Sequence, residues 1–157
     1  MKLKHYILTI VFACATIAAN AQIERTSHSD DGTKMGFVDA NGQWVVNPQW
    51  DNATWDAEMK VGIVGDLKGP KGVIDQKGSY ILPIKYSKIR TNPQSKTLLV
   101  AEDRNGTTYW GIFSQDGKPI IPLEYKSVLF NRGKSIFECT TSDNLKKYFS
   151  QEGKEVE

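Results

Sequence analysis

Short apolar runs alternate with turn-forming residues from about residue 35 to the end of the chain. In each stretch, two or three apolar residues precede an Asp or Ser, a four-residue turn closes on Gly, and a second apolar run comes next. After residue 22, no apolar pattern with helical spacing persists for ten residues, whereas short β-branched and aromatic runs recur throughout. The pattern therefore predicts an all-β fold built from hairpins.

The same hairpin phrase occurs four times. Its copies are GFVDANG at 36–42, GVIDQKG at 72–78, GIFSQDG at 111–117 and a degenerate KYFSQEG at 147–153. The closing glycines are therefore 36, 39 and 36 residues apart, which indicates one supersecondary unit in several copies. The closing Gly supplies the positive φ that other residues resist, and the Asp or Ser can accept a hydrogen bond from a backbone N–H two residues on.

Each complete copy continues to a Pro and then to an aromatic residue. The aromatic lies eight residues after the closing Gly and is Trp50, Tyr86 or Tyr125, and this fixed offset predicts a packing anchor. We expect the Pro to end the second strand, because Pro cannot donate to a sheet ladder. A third strand is predicted at 58–64, 97–102 and 135–140, so each unit is a three-stranded antiparallel meander.

The predicted units span about residues 35–70, 71–109 and 110–146, with a partial copy at 147–157. About 3.5 repeats thus form one β domain over residues 35–157. Because one unit cannot bury its apolar face alone, neighbouring units must stack. We expect an open, curved β array, and a closed barrel or propeller-like ring is the alternative. The polar residues 22–34, which include His28, are expected to be a flexible N-terminal segment.

The amino terminus has the features of an export signal. Two lysines within the first four residues precede an apolar run from Tyr6 to Ala19, and small residues at 19 and 21 suit signal-peptidase cleavage. We predict a signal peptide over residues 1–21 and a periplasmic or extracellular mature protein beginning at Gln22. The apolar run of 14 residues is shorter than the ~20 that a membrane span needs. Acylation at Cys14 is the alternative, which bulky Phe12 disfavours.

Charge argues against two classes of partner. The chain has 20 Lys and Arg and 18 Asp and Glu, and Lys2 and Lys4 would leave with the signal peptide while no acid would. The remainder is formally neutral, and its acidic and basic residues are interspersed. We therefore expect no nucleic-acid partner and no attraction to anionic membrane surfaces.

The residue types that catalysis and metal binding require are scarce. After the predicted leader the chain has one Cys, Cys139, and one His, His28, so neither a Cys–His pair nor a zinc site is indicated. Cys139 alternates with Phe137, which predicts a buried thiol; intermolecular pairing is the alternative.

The sequence gives little evidence of a calcium site or of a catalytic pair of carboxylates. The sequences at 39–42 and 103–106 resemble fragments of a calcium loop, but neither continues to the acid at position 12 of an EF-hand, and hairpin turns require the same residues. Asp51 and Asp56, beside Trp50 and Trp55, are the best carboxylate pair for glycoside hydrolysis, although nothing in the sequence shows that they converge. We predict no catalytic residue, metal or cofactor.

The phrase resembles the unit of the bacterial WG-repeat family, also called KWG repeats. That unit is a Trp-Gly pair, an apolar pair, Asp-x-x-Gly, a second apolar pair, Pro and a nearby Tyr. Residues 110–125 carry every element except the Asp, which is Ser114, and the naming Trp is absent from the other copies. The repeat-defining residues are Gly36, Gly42, Gly72, Gly78, Trp110, Gly111, Gly117, Gly153, Tyr86 and Tyr125. The resemblance implies a β-repeat interaction module without general catalytic residues.

Three tryptophans in the first copy are the candidate binding residues. Trp44, Trp50 and Trp55 match aromatic residues of later copies in register, which favours packing between units, above all for Trp50. We expect an exported, non-enzymatic module that binds another protein, as an immunity or inhibitor protein would. A glycan-binding module that uses these tryptophans is the alternative: exposed Trp44 and Trp55 would favour glycan, and buried ones would favour protein.

Overall fold

The computed structural model describes residues 21–157 as fifteen β-strands with no helix. The predicted signal peptide, apart from Ala21, lies outside the described residues. The first sheet contains β1 (Arg25–His28), β2 (Met35–Val38) and β3 (Trp44–Trp50), and the second contains β4 (Asn52–Asp56), β5 (Val61–Gly65), β6 (Lys71–Ile74) and β7 (Tyr80–Tyr86). The third contains β8 (Lys88–Asn92), β9 (Thr97–Arg104), β10 (Thr107–Ser114) and β11 (Pro119–Tyr125), and the fourth contains β12 (Ser127–Asn131), β13 (Ile136–Thr140), β14 (Lys146–Phe149) and β15 (Glu155–Val156).

Every sheet is an antiparallel meander in chain order, and the described strands do not close into a barrel. The all-β class and the open array of repeated meanders are confirmed. Three of the sheets contain one strand more than the predicted meander, because β4, β8 and β12 form directly after the anchor aromatics. None of residues 21–157 belongs to a helix long and apolar enough to cross a membrane.

The apolar pair in each phrase explains how the sheets stack. Successive side chains of a strand point to opposite faces. Val73 accordingly packs between the second and third sheets, whereas its neighbour Ile74 packs between the first and second. Ile112 and Phe113 divide in the same way between two cores. The four sheets thus enclose three cores, and each interior sheet is buried on both faces.

The aromatics at the end of each phrase anchor these cores, as their fixed offset predicts. Trp50, Tyr86 and Tyr125 are 7, 5 and 3% exposed. Tyr86 meets Phe113 of the next sheet edge-on, with 6.0 Å between ring centroids, and Tyr125 meets Phe149 in the same way at 5.8 Å. Such contacts between units stabilise the stack beyond the burial of area alone.

The prediction that Pro ends the second strand is wrong. β7 continues from Pro83 to Tyr86, because the Pro lies in a β-bulge where the ladder is already interrupted. Val73 pairs with Leu82 and Lys71 pairs with Tyr86, so two extra residues of β7 lie opposite Gly72. A Cβ at Gly72 would lie 2.8 Å from the Leu82 carbonyl oxygen, which explains the first Gly of the phrase.

The closing turns form, and the predicted hydrogen bond from the N–H two residues on is present in every copy except the third. All four closing glycines have φ between 80° and 86°. Asp75 Oδ1 accepts hydrogen bonds from the N–H groups of Lys77 (2.8 Å) and Ser79 (2.9 Å), and Asp39 makes the equivalent pair. In the third copy the hydroxyl of Ser114 accepts from the Lys118 N–H at 3.0 Å and donates to Asp116. In the third copy, the Ser114 hydroxyl therefore takes the place of the Asp carboxylate, and the acidic residue of the turn is Asp116, two residues later.

Residues 22–34 differ from the flexible segment expected there. β1 pairs with β2 from Arg25 opposite Val38 to His28 opposite Met35. The physical reason is Ile23, which is fully buried between the first and second sheets and donates its N–H to the Gln76 carbonyl at 2.9 Å. One apolar side chain therefore orders an otherwise polar segment, while His28 itself stays exposed.

Candidate protein-binding surface

The structure separates the three candidate tryptophans. Trp50 is buried, and Trp55 is half-buried against Phe37, with 6.0 Å between ring centroids; both belong to the core between the first two sheets. Trp44 is 41% exposed. Of the two tryptophans whose exposure distinguishes a glycan from a protein partner, Trp44 is thus open to solvent and Trp55 is half-buried.

Tyr80 occupies the position that matches Trp44 and is 54% exposed. It lines a wide cleft of about 830 Å³ between the second and third sheets, at the end that carries the turns. Lysines and acids both line this cleft, and several polar groups there already have internal partners. Asp75 caps its own turn, and the Gln115 amide donates to the Met59 carbonyl.

A second kind of surface runs along the first strand of each later sheet. β4, β8 and β12 are sheet edges, each paired on one side only among the described strands. Two clefts lie along them, one of about 290 Å³ between the second and third sheets and one of about 270 Å³ between the third and fourth. Arg90 lines both clefts, so we name the pair the first-strand groove.

Strand alternation builds the walls of this groove. On β8, Ile89 points into the core between the second and third sheets, and the next residue, Arg90, is exposed at the cleft. On β12, Val128 enters the next core and Leu129 is 61% exposed. The floor of the cleft between the third and fourth sheets is apolar and is formed by Leu99, Ile112 and Phe137.

The groove is positively charged although the chain is close to neutral. Four basic side chains line the two clefts, and no Asp or Glu does: Lys71, Lys88, Arg90 and Arg132. The Lys88 ammonium lies 5.7 Å from the Trp110 ring centroid, and Lys71 Nζ donates to the Gly69 carbonyl at 2.9 Å. Neither Arg90 nor Arg132 takes part in any of the ion pairs among residues 21–157. Their guanidinium groups therefore retain donors for an external acceptor.

The residues considered for catalysis or metal binding have structural roles. Asp51 forms an ion pair with Lys34 at 2.5 Å, and Asp56 Oδ1 accepts a hydrogen bond from the Met59 N–H at 2.9 Å. Cys139 is fully buried, and burial raises the pKa of its thiol to about 12. Within residues 21–157 no three His, Cys, Asp or Glu side chains cluster as metal ligands would.

The first-strand groove was not predicted from the sequence because β4, β8 and β12 were not. One signal marks these strands: an apolar residue three positions after each anchor aromatic, at Ala53, Ile89 and Val128. Ala53 is buried between the first and second sheets, Ile89 between the second and third, and Val128 between the third and fourth. No comparable signal marks Arg90 or Arg132, because neither belongs to the repeated phrase.

The repeated units match a known protein family. A family model described as "WG containing repeat" matches residues 35–55, 72–94 and 110–139. No curated protein sequence matches the chain. A solved structure titled "Crystal structure of the eukaryotic initiation factor" is similar at 16% identity and a TM-score of 0.45, over 79% of this chain and 37% of that chain. The chain thus spans little more than a third of that protein, and so low a TM-score supports no further conclusion.

Proposed function

Because the chain belongs to the family of proteins with WG-containing repeats, we propose that it is an exported, non-enzymatic module that binds another protein. The observation that carries this proposal is the first-strand groove. Repetition places three edge strands, β4, β8 and β12, in equivalent positions, so their clefts form an extended surface rather than one closed pocket. Extended surfaces of this kind are what stacked repeats offer to partners.

The composition of the groove also favours a protein partner. Interfaces are enriched in Arg and in apolar anchors and depleted of acids at their centre. The cleft between the third and fourth sheets combines half-buried Phe130 with Arg90 and Arg132 above an apolar floor. Arg is a frequent hot-spot residue, because its planar guanidinium makes directed hydrogen bonds and stacks on neighbouring groups.

Export is proposed from the leader sequence alone. A basic start, an apolar run and small residues before Gln22 favour secretion to the periplasm or beyond. In that setting the partner would be a protein of the cell envelope or the medium, and an inhibitor or immunity role fits a small module without a predicted catalytic set.

A glycan is the second candidate ligand, and one observation favours it. Trp44 and Tyr80 hold matching positions on two successive units, and both rings are open to solvent. Exposed aromatic rings are the faces on which sugars stack. The weakness of this alternative is that Trp50 and Trp55, the rest of the predicted aromatic set, belong to the core.

Affinity capture with two variants separates these candidates. The protein is tagged and incubated with envelope extract, and captured proteins and glycans are both identified. A protein that Arg132→Gln loses and Trp44→Ala/Tyr80→Ala retains would support the proposed function. Polysaccharide that the aromatic double variant loses and Arg132→Gln retains would establish the glycan alternative instead. All three side chains are exposed, so both variants are expected to fold, and circular dichroism checks this.

A further inference from the structure

We propose that the cleft between the third and fourth sheets binds an extended peptide that carries carboxylates beside apolar side chains. This inference rests on the proposed protein-binding function and specifies the segment of the partner that is bound. Three observations carry it: the charge of the cleft, its floor and the strands at its walls.

Charge complementarity selects an acidic ligand. Arg90 and Arg132 both line this cleft, no carboxylate lines it, and neither arginine has an ion-pair partner among the described residues. A carboxylate that enters the cleft would accept two hydrogen bonds from either guanidinium group. An acidic partner therefore matches the field that this cleft presents.

The floor selects apolar side chains beside the carboxylates. Leu99, Ile112 and Phe137 line the bottom of the cleft, and half-buried Phe130 lines its wall on the same face. A volume of about 270 Å³ accommodates one or two apolar side chains rather than a folded domain. Nucleic acid would satisfy the arginines but would leave the floor without apolar contacts, so the observations favour a peptide.

The walls select an extended conformation. β8 is the edge of the third sheet and β12 is the edge of the fourth, so both strands carry backbone N–H and C=O groups without a strand partner among residues 21–157. A peptide in extended conformation pairs with such an edge through its main chain. Its alternate side chains then point in opposite directions, so every second residue faces the cleft. Arg90 is the cross-strand partner of Leu99, so the arginines and the apolar floor lie on the same face, and the residues that face the cleft must include both carboxylates and apolar side chains.

A direct test uses a labelled ten-residue peptide in which Leu-Leu and Glu-Glu pairs alternate, so that each face of the extended peptide carries both residue types. Fluorescence anisotropy is the readout on the purified protein. The matched peptide contains Gln in place of every Glu. We expect the Glu peptide to bind about tenfold or more tightly than the Gln peptide, and this preference to shrink in 0.5 M salt. The variant Arg90→Gln/Arg132→Gln should lose the preference, whereas Arg25→Gln, an exposed arginine on β1, should keep it.

Three outcomes would overturn the inference. They are equal binding of the Glu and Gln peptides, an unchanged preference in the double variant, and tighter binding of a single-stranded oligonucleotide of equal charge. Capture from envelope extract distinguishes failure of this inference from failure of the proposed protein-binding function. If Arg90→Gln/Arg132→Gln still captures the same protein from envelope extract, the protein-binding function stands and this cleft is not the site. If no protein is captured by any variant, the proposed function itself fails.

Discussion

The third and fourth copies of the repeated phrase close the same turn and differ in the strand beyond it. Gly117 and Gly153 have φ of 83° and 81°, and the hydroxyls of Ser114 and Ser150 both accept hydrogen bonds from backbone N–H groups of the turn. After the turn, the third copy continues into the seven-residue β11, whereas the fourth continues into β15, Glu155–Val156.

The first Gly of the phrase lies opposite a bulge in the neighbouring strand. A Cβ at Gly111 would lie 2.6 Å from the Ile121 carbonyl oxygen, in the bulge that β11 forms around its Pro. The matching residue of the fourth copy is Lys147. β15 pairs with Tyr148 and Phe149. Among the described strands, the first Gly and the Pro-containing bulge therefore occur together, at Gly36, Gly72 and Gly111.

The fourth sheet also carries a polar residue where the second and third sheets carry an apolar one. Ile63 of β5 and Leu99 of β9 pack against the clusters between sheets, and the strand registers place Glu138 of β13 at the matching position. Glu138 accepts a hydrogen bond from the Asn131 amide at 2.7 Å. The outer face of the fourth sheet is therefore polar at the position where the second and third sheets pack an apolar side chain.

Removal of residues 147–157 should have the largest effect on stability. The deletion takes away Phe149, which is 8% exposed and contacts Tyr125, and so opens the core between the third and fourth sheets. We expect the free energy of unfolding to fall by at least about 3 kcal/mol, the lower end of the range for truncating a buried Phe.

Thermal unfolding followed by circular dichroism measures this change. Deletion of residues 154–157 is the matched control, because it removes β15 and keeps Phe149. An equal loss in both deletions would show that β15, rather than the buried Phe, holds the terminal unit.

Gly111→Ala should rank second and tests the bulge directly. The new methyl group would collide with backbone atoms of Ile121 and Pro122 rather than with a flexible side chain, so the bulge must shift. We expect a loss of about 2–3 kcal/mol, in the range of overpacked sites. Lys147→Ala at the matching position of the fourth copy should change stability by less than about 0.5 kcal/mol. Urea unfolding of the two variants gives the comparison, and similar losses in both would contradict the bulge explanation.

Ser114→Ala should have a smaller effect that also appears in a titration. The variant removes the acceptor for the Lys118 N–H, at a cost of about 1 kcal/mol. The hydrogen bond that Ser114 donates to Asp116 holds the pKa of that carboxyl below its usual range. That bond stabilises the folded protein above the usual Asp pKa and is lost as the pH falls through the lowered value.

In Ser114→Ala the Asp116 pKa should rise toward its ordinary value, which carboxyl-carbon NMR measures. Glu152, whose pKa Ser150 lowers in the fourth copy, is the internal control and should not move. An unchanged Asp116 pKa would show that Ser114 does not hold this carboxyl.

Residue periodicity predicted the features that repeat and missed those that do not. The closing glycines, the Asp or Ser caps and the buried aromatics lie where predicted, except that Ser114 accepts its hydrogen bond from the N–H four residues on rather than two. The Pro was misread because its effect depends on the opposing Gly, which only the strand register reveals. Arg90 and Arg132 could not be found because their proximity arises from the stacking of two sheets.

The smallest effect concerns Cys139, which reports on the boundary between the two compared copies. Its thiol is fully buried, and burial raises its pKa to about 12, so a thiol reagent at pH 8 should label it only when the fourth sheet opens. Because the pKa of this thiol is higher in the folded protein than in the unfolded chain, where it is about 9, its contribution to stability is fully present below pH 9. That contribution is lost as the pH rises toward 12. The thiol of the folded protein should be labelled far more slowly than that of the unfolded chain. In the 147–157 deletion, labelling should be faster than the free energy of unfolding of that variant predicts. In Gly111→Ala, the labelling rate should match that prediction. If instead labelling tracks global stability equally in both variants, the fourth sheet opens only with the whole array.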